Sequence, residues 1–315
     1  MLINTDNKIY HLIRSLRPRQ WIKNTSLFAA IFFAGSVFDP TVVGKVIISV
    51  IIFSCLASAA YLINDIIDAP KDKLHPIKKN RPIASGKLSE KTAFATALFL
   101  IAITLPMAIL YINLYFFIIC GSYLILQFLY STKIRNIIIL DAIAVALGFI
   151  FRVFAGAFAA EVSISSWLVL STIGLSLLLA FGKRRSEKTI LSAQNIALKT
   201  RKTLRHYPDT LLDAMISMSS AYTLISYSIF SFQTESLGEH YLSKFLPSSL
   251  AAPKWMMLTI PVVIYGVARY LYVIYEKKDA ESPERVLLSD KPLLLSILLW
   301  ITAIFFLVYI LGVSI

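Results

Sequence analysis

The chain has 315 residues, 57% of them hydrophobic and only 16% charged, and its mean hydropathy is +0.71. A soluble core of this size cannot take up that much apolar surface, and soluble domains average about 25% charged residues; this excludes a soluble globular enzyme, a disordered chain and a solvated nucleic-acid-binding domain. The net charge of +13 then reads as basic loops on one side of a membrane, with no nucleic-acid partner expected. The expected fold class is all-α: a polytopic membrane protein, one domain over residues 1–315.

In chain order, a polar segment comes first, with Lys8, Arg14, Arg17, Arg19 and Lys23. It delays the first apolar run too far for a cleavable signal peptide to be expected. Nine apolar runs follow, near 24–38, 43–67, 91–111, 114–130, 137–160, 165–182, 211–232, 255–275 and 292–313. A helix needs about 20 apolar residues to cross a bilayer, so nine transmembrane helices are expected.

The second run ends in Asn64-Asp65-Ile66-Ile67-Asp68-Ala69-Pro70-Lys71-Asp72. Helix residues three and four apart share a face, so Asn64, Asp65, Asp68 and Asp72 form one oxygen-rich stripe. Carboxylates this close repel one another and are costly beside hydrocarbon. A divalent cation relieves both, and Mg2+ takes one or two carboxylates together with substrate phosphates. A solvated helix end is the alternative, but it leaves the acids unexplained in a loop otherwise full of lysines. Pro70 disfavours helix at Ala69 and leaves the place of Asp72 on the stripe open. The next segment, Lys73 to Gly86, holds two prolines and a glycine, a shaped turn rather than a floppy one. Lys78 and Arg81 there are candidates to neutralise a leaving diphosphate, or are simply part of a basic loop.

The fourth run ends in Tyr130-Ser131-Thr132-Lys133-Ile134-Arg135-Asn136, and the fifth begins with Asp141 and carries Arg152 eleven residues on, about the same helical face. An intramembrane arginine faces a partner or a wet cavity; an ion pair with Glu161 or another acid competes with a substrate role. The sixth run ends in Gly182-Lys183-Arg184-Arg185-Ser186-Glu187-Lys188, either a basic cap or a seat for a second anionic substrate. Asp213 and the 276–291 connection carry no readable role. With the N-terminus cytoplasmic, 26 of the 31 lysines and arginines fall in cytoplasmic segments, which fixes the orientation. Cys55 and Cys120 read as packed thiols, and the four histidines lack ligand spacing, so no zinc is expected.

Taken together, N-D-x-x-D-x-x-x-D at 64–72, the Tyr130 and Lys133 pair closing the fourth run and the nine-helix plan resemble the UbiA superfamily of intramembrane transferases. Within it the chain is most similar to the decaprenyl-phosphate phosphoribosyltransferases. The segments Arg17 to Asn24, Arg81 to Gly86, Leu140-Asp141, Gly148-Phe149, Arg152, Gly182-Lys183-Arg184, Arg269-Tyr270 and Asp290 to Leu293 carry that likeness nearly end to end. Prenyltransferases of the superfamily typically have a second acidic D-x-x-x-D motif after the sixth helix. Here that position reads Lys183-Arg184-Arg185-Ser186-Glu187.

The resemblance implies a UbiA-like bundle with cytoplasmic active-site loops in a bacterial inner membrane, and a bilayer-borne polyprenyl phosphate attacking phosphoribosyl diphosphate. It implies Mg2+ on Asn64, Asp65, Asp68 and Asp72, with Asp65, Asp68, Lys78 and Arg81 serving the chemistry. Tyr130, Lys133, Asp141, Arg152, Lys183 and Arg184 are the implied substrate contacts. Two other readings stay open: a prenyltransferase acting on an aromatic acceptor, and a transporter of anionic solutes using Arg152 and Arg269. An acidic stripe at a helix end fits the transporter poorly, because transport sites lie near the bilayer midplane.

Overall fold

Helix α1 (Lys8–Leu16) stops at Arg17, whose left-handed backbone (φ 55°, ψ 59°) turns the chain into the bundle. Pro18, which has no N–H to give, opens a long 3-10 stretch (Pro18–Phe28) that passes into a short α2 (Ala29–Phe33). Thr25 and Ser26 donate to the carbonyls of Ile22 and Lys23 at 2.7 and 2.8 Å, each three residues back, the 3-10 spacing. The computed structural model describes residues 8–74, 78–193, 206–234, 254–277, 286 and 289–312. The His75-Pro76 step, Lys244 and most of the 276–291 connection lie outside these residues.

The first expected run is therefore corrected: its helix ends at Phe33. A 3-10 rise of about 2.0 Å per residue still carries Pro18–Phe33 through roughly 30 Å, the depth of a hydrocarbon core. Helix α3 (Pro40–Asp72) is capped by Asp39, whose Oδ1 accepts from Thr41 N at 2.8 Å. It runs unbroken through Pro70, which sits in the last turn, where little helix remains to be disrupted. Helix α4 (Glu90–Met107) widens into a π-helical turn through Ala108–Ile112 and ends at Asn113. Asn113 caps α5 (Leu114–Thr132) at Phe116 N and also donates to the Phe158 carbonyl at 2.6 Å.

Helix α6 (Leu140–Ala160) is lined with alanine and glycine, so neighbours approach it closely. At Gly156 a Cβ would lie 1.9 Å from the Leu27 carbonyl oxygen, which lets the 3-10 stretch pack backbone to backbone on α6. α7 (Ser166–Ala193) pairs with α8 (Asp209–Gln233), Gly174 lying against Thr223. α9 (Ile260–Tyr272) and α10 (Lys291–Phe305) complete the bundle. Two of the core clusters share α6. One gathers Leu27, Phe53, Phe116 and Tyr123; the other Leu178, Phe181, Leu212 and Tyr270.

Among the described residues no strand occurs, and seven helices are long and apolar enough to cross a membrane: Pro40–Asp72, Glu90–Ile112, Leu114–Thr132, Leu140–Ala160, Ser166–Thr189, Trp255–Glu276 and Lys291–Ile310. The first and seventh expected runs fall outside that set. The first is short, and α8 is rich in hydroxyls. Ser219, Ser220, Thr223, Ser226 and Ser228 of α8 each donate to the carbonyl four residues back, which hides their polarity within the helix.

Candidate active site

The stripe that the 64–72 spacing predicts is present at the end of α3, and it is engaged by arginines from three elements. Asp65, 3% exposed, takes Arg17 at 2.5 Å and Arg81 at 3.0 Å. Asp72 takes the same Arg81 at 2.6 Å, and Asp68 pairs with Arg135. The continuous helix thus keeps Asp72 with the other acids. Arg17 also lies over the Tyr61 ring, one turn before Asp65. Lys78 opens the turn (Lys78–Asn80) whose first carbonyl accepts from Arg81 N at 2.9 Å, which aims the arginine at the stripe. Asn64 Oδ1 is buried and has no hydrogen-bond partner.

No three His, Cys, Asp or Glu side chains among the described residues form a ready cage for a metal ion. The donors are of another kind: an orphaned amide oxygen at Asn64 beside Asp65 and Asp68, all hard oxygens on one helix end. They fit a cation that fills the rest of its shell with substrate oxygens.

A second network lies at the same end of the bundle. Asp141, at the start of α6, is fully buried and accepts from Arg184 Nε at 2.6 Å and from Tyr207 Oη at 2.5 Å. Arg184 donates further to Glu187 at 2.9 Å and to Tyr130 Oη at 3.0 Å. Tyr207 accepts from Ile139 N at 2.6 Å, which holds Ile139 in its unusual backbone (φ 70°) at the mouth of α6. Burial, then the bond to Asp141, pushes the Tyr207 phenol above its ordinary range. The 207–213 segment is tied to α7 by Lys188 on the Tyr207 carbonyl at 2.6 Å and by Arg185 on Asp213 at 2.8 Å.

Of the sequence-derived candidates, Asn64, Asp65, Asp68, Asp72 and Arg81 come together, and Tyr130, Asp141 and Arg184 come together. Lys183 lies beside Lys23, Arg184, Glu187 and Tyr130, and Lys133 is exposed at the end of α5. Arg152 stands apart, about 16 Å along α6 from Asp141. Among the described residues it pairs with no acid: Asn24 Oδ1, the Gly148 carbonyl and Tyr123 Oη accept from it at 2.8, 2.6 and 3.1 Å, and Phe53, Tyr123 and Phe149 surround it. Glu161 pairs with Lys45 at the opposite end, at 3.0 Å, and Arg269 pairs with Asp290 at 2.9 Å. Sequence reasoning missed Arg17, Arg135 and Tyr207 as members. Charge balance signals the arginines, since three acids near hydrocarbon demand cations. Nothing local signals Tyr207.

The UbiA prenyltransferase family model matches residues 25–188, a stretch that holds both networks except for Arg17 and the 207–213 segment. The chain belongs to this family. It is thus an integral membrane transferase of the UbiA type. The decaprenyl-phosphate phosphoribosyltransferase of Corynebacterium glutamicum is 33% identical over 302 residues, covering 95% of this chain and 87% of that enzyme. The enzyme so named from Mycolicibacterium smegmatis is 30% identical over 95% and 92% of the two chains. A UbiA homologue from Archaeoglobus fulgidus, solved bound to DMAPP and Mg2+, matches with a TM-score of 0.67 at 18% identity over 93% of this chain and 97% of that one.

Proposed function

We propose that this UbiA-family protein transfers 5-phosphoribose from phosphoribosyl diphosphate to a polyprenyl phosphate of the decaprenyl phosphate type, at the cytoplasmic face of a bacterial inner membrane. The observation that carries this reading is that the acidic stripe at the end of α3 has no acidic counterpart at the end of α7, which reads Lys183-Arg184-Arg185 instead. One acidic stripe suits one metal-bound diphosphate, and the lysines at the α5 and α7 ends, Lys133 and Lys183, suit phosphates without a metal. Phosphoribosyl diphosphate has both a diphosphate and a 5-phosphate, and the lipid brings a third anion. Two relatives of that name, alike over 95% of this chain, support the assignment.

Asn64 Oδ1, Asp65 and Asp68 would hold Mg2+, with Asp72 beside them through Arg81. Bound there, the ion supplies positive charge to the departing diphosphate. Arg81, Arg17 and Arg135 already sit at the stripe, placed to pass from carboxylate to phosphate as the diphosphate arrives, with Lys78 at the base of the Arg81 turn. Lys133 and Lys183 take the remaining phosphates. The lipid's phosphate oxygen attacks C1 of the ribose. The bond from C1 to the diphosphate oxygen breaks, and its electron pair leaves with diphosphate. The nucleophile is already anionic at neutral pH, so no general base is needed, and catalysis rests on positioning and leaving-group stabilisation. Tyr130, Asp141 and Arg184 act by fixing the α5, α6 and α7 ends around the site, and Arg152 by holding the 3-10 stretch through Asn24. The product, a polyprenylphosphoryl-5-phosphoribose, suits a precursor of arabinofuranose donors for cell-envelope glycans.

The test is lipid extraction after incubating purified protein with Mg2+, a polyprenyl phosphate and phosphoribosyl diphosphate labelled in the ribose. Label should enter the organic phase and stay aqueous with EDTA. Label that stays aqueous under all conditions, while a labelled prenyl diphosphate is transferred to an aromatic acceptor, overturns the proposal in favour of prenyl transfer.

A further inference from the structure

The bundle end opposite the acidic stripe carries an ion pair of its own, Lys45 with Glu161, 43% and 62% exposed. The pair borders a cleft of about 370 Å³, lined by Asn113 and Tyr115 after α4 and by Phe158 and Glu161 at the end of α6. That volume falls within the range of small-ligand sites. Three spans end here. Glu90–Ile112 stops just before Asn113, Leu114–Thr132 starts just after it, and Leu140–Ala160 stops just before Glu161. The cleft therefore lies where hydrocarbon gives way to headgroups. The 33 residues of α3 measure about 50 Å against a hydrocarbon core of about 30 Å, so its first turns, Lys45 included, reach the same level. The cleft has two layers. On the membrane side the Phe158 ring neighbours those of Tyr115 and Phe154, at 5.8 and 6.0 Å and tilted by 34° and 35°. Beyond the span ends stand the carboxylate and the ammonium, and the hydrogen bond from Lys45 holds the Glu161 carboxyl below its ordinary range, fully ionised.

We infer that this cleft binds the zwitterionic headgroup of phosphatidylethanolamine from the leaflet opposite the acidic stripe, with the lipid's ammonium on Glu161, its phosphate on Lys45 and its glycerol and first acyl carbons against the Tyr115 and Phe158 rings. The protein's own pair sums to zero charge. It is complementary to a zwitterion laid antiparallel to it, giving four alternating charges. An anionic lipid would meet Glu161, and a bare cation would meet Lys45, each with repulsion that cancels its attraction. The primary ammonium is preferred to a choline because it has N–H groups to give the carboxylate, and charge-assisted hydrogen bonds are the strong ones. Choline sites instead enclose the methyls in an aromatic cage, and rings side by side at 34° form a wall rather than a cage. The inference is independent of the reaction proposed above.

The experiment uses the full-length protein in phosphatidylcholine nanodiscs with a trace of phosphatidylethanolamine carrying a diazirine on an acyl chain close to the glycerol. After irradiation, adducts should map to Tyr115 and its neighbours and to the end of α6 near Phe158. Exposed ion pairs contribute up to about 1 kcal/mol, which is a preference of about fivefold. Replacing half of the host lipid with unlabelled phosphatidylethanolamine should then cut the adducts about threefold, and replacing half with phosphatidylglycerol should not cut them. Adducts confined to other segments, adducts that phosphatidylethanolamine leaves undiminished, or adducts that phosphatidylglycerol cuts equally overturn the inference. A second arm uses Glu161→Gln and Lys45→Gln, surface changes with little folding cost. Each should abolish the preference over phosphatidylcholine; a preference that survives in both overturns the charge pair as its source. The readout needs no turnover, so it stands or falls apart from phosphoribosyl transfer.

Discussion

Asp141 and Arg184 carry opposite charges at 2.6 Å, each almost wholly buried, so the pair gives a clear test of the second network. Replacing Asp141 with Asn removes the negative charge. The amide then accepts from either Arg184 or Tyr207 and turns its NH2 on the other. Breaking a buried pair from one side costs about 3–5 kcal/mol. Glu187, at 2.9 Å from Arg184, keeps part of the charge balanced, which places the loss near the lower end, about 3 kcal/mol. At roughly 2 °C per kcal/mol for a chain of this length, the thermal midpoint falls by about 6 °C. Adding Arg184→Met removes the stranded cation, so the double variant should recover most of that loss. The assay is a double-mutant cycle of thermal denaturation in one detergent, read together with KM for the diphosphate donor. If Arg184 acts by fixing the helix ends, the double variant keeps KM within a few-fold. Direct contact with the donor's phosphate would instead cost about 1.5–3 kcal/mol, a rise in KM of roughly 10- to 100-fold. Additive destabilisation, or a KM rise of that size, refutes the reasoning.

Other expectations follow from the same geometry. Asp65→Asn and Asp68→Asn should each abolish transfer in the lipid-extraction assay while the protein still elutes as a folded peak; retained turnover would sink the metal assignment. Lys133→Ala and Lys183→Gln should each raise KM for a phosphate substrate by about 10-fold or more, the loss of one charge-assisted hydrogen bond; unchanged kinetics would remove that lysine from the site. Gly156→Ala places a methyl 1.9 Å from the Leu27 oxygen, so the 3-10 stretch must shift, at a cost of at least about 1–3 kcal/mol; a wild-type melting curve would contradict the close packing. Tyr207 has its pKa raised in the folded state by burial and by Asp141, so its stabilisation is present below pH 10 and drains away as pH rises above 10. Tyr207→Phe should therefore flatten the alkaline end of the stability profile; parallel curves for the two proteins above pH 10 would refute this.

The long apolar helices and the acidic stripe were legible because each rests on a local period. Twenty apolar residues read as a span, and acids at spacings of three and four read as one face. The first run was misread because Pro18, Thr25 and Ser26 impose a 3-10 winding that hydropathy does not register. α8 was recognised as a run although its hydroxyls lower its hydropathy; the structure shows how they are satisfied, each on its own helix. Asp141 and Arg184 were singled out, but not each other's identity as partners, since forty-three residues separate them. Tyr207 joins them from a short segment of no evident pattern. For Arg152 an acid partner was one of two readings beside a substrate role; among the described residues it pairs with no acid, and aromatic faces and neutral oxygens do the work of a counterion.

That last case shows how the chain separates its charges by task. An arginine deep in α6 that has to hold a neighbouring segment is satisfied by rings and carbonyls, which no incoming anion displaces easily. The arginines on the acidic stripe are paired with carboxylates, come from three elements, and are all only partly buried. Such pairs keep the acids neutralised while no substrate is present, and they yield when a cation claims the carboxylates and a diphosphate claims the guanidiniums. Among the described residues, Asn64 Oδ1 and the Lys133 ammonium have no hydrogen-bond or ion-pair partner, and they are an acceptor and a cation. Those are the two kinds of group that a metal-bound diphosphate and a bare lipid phosphate would respectively engage, and this is why the site reads as one built for two separate phosphates.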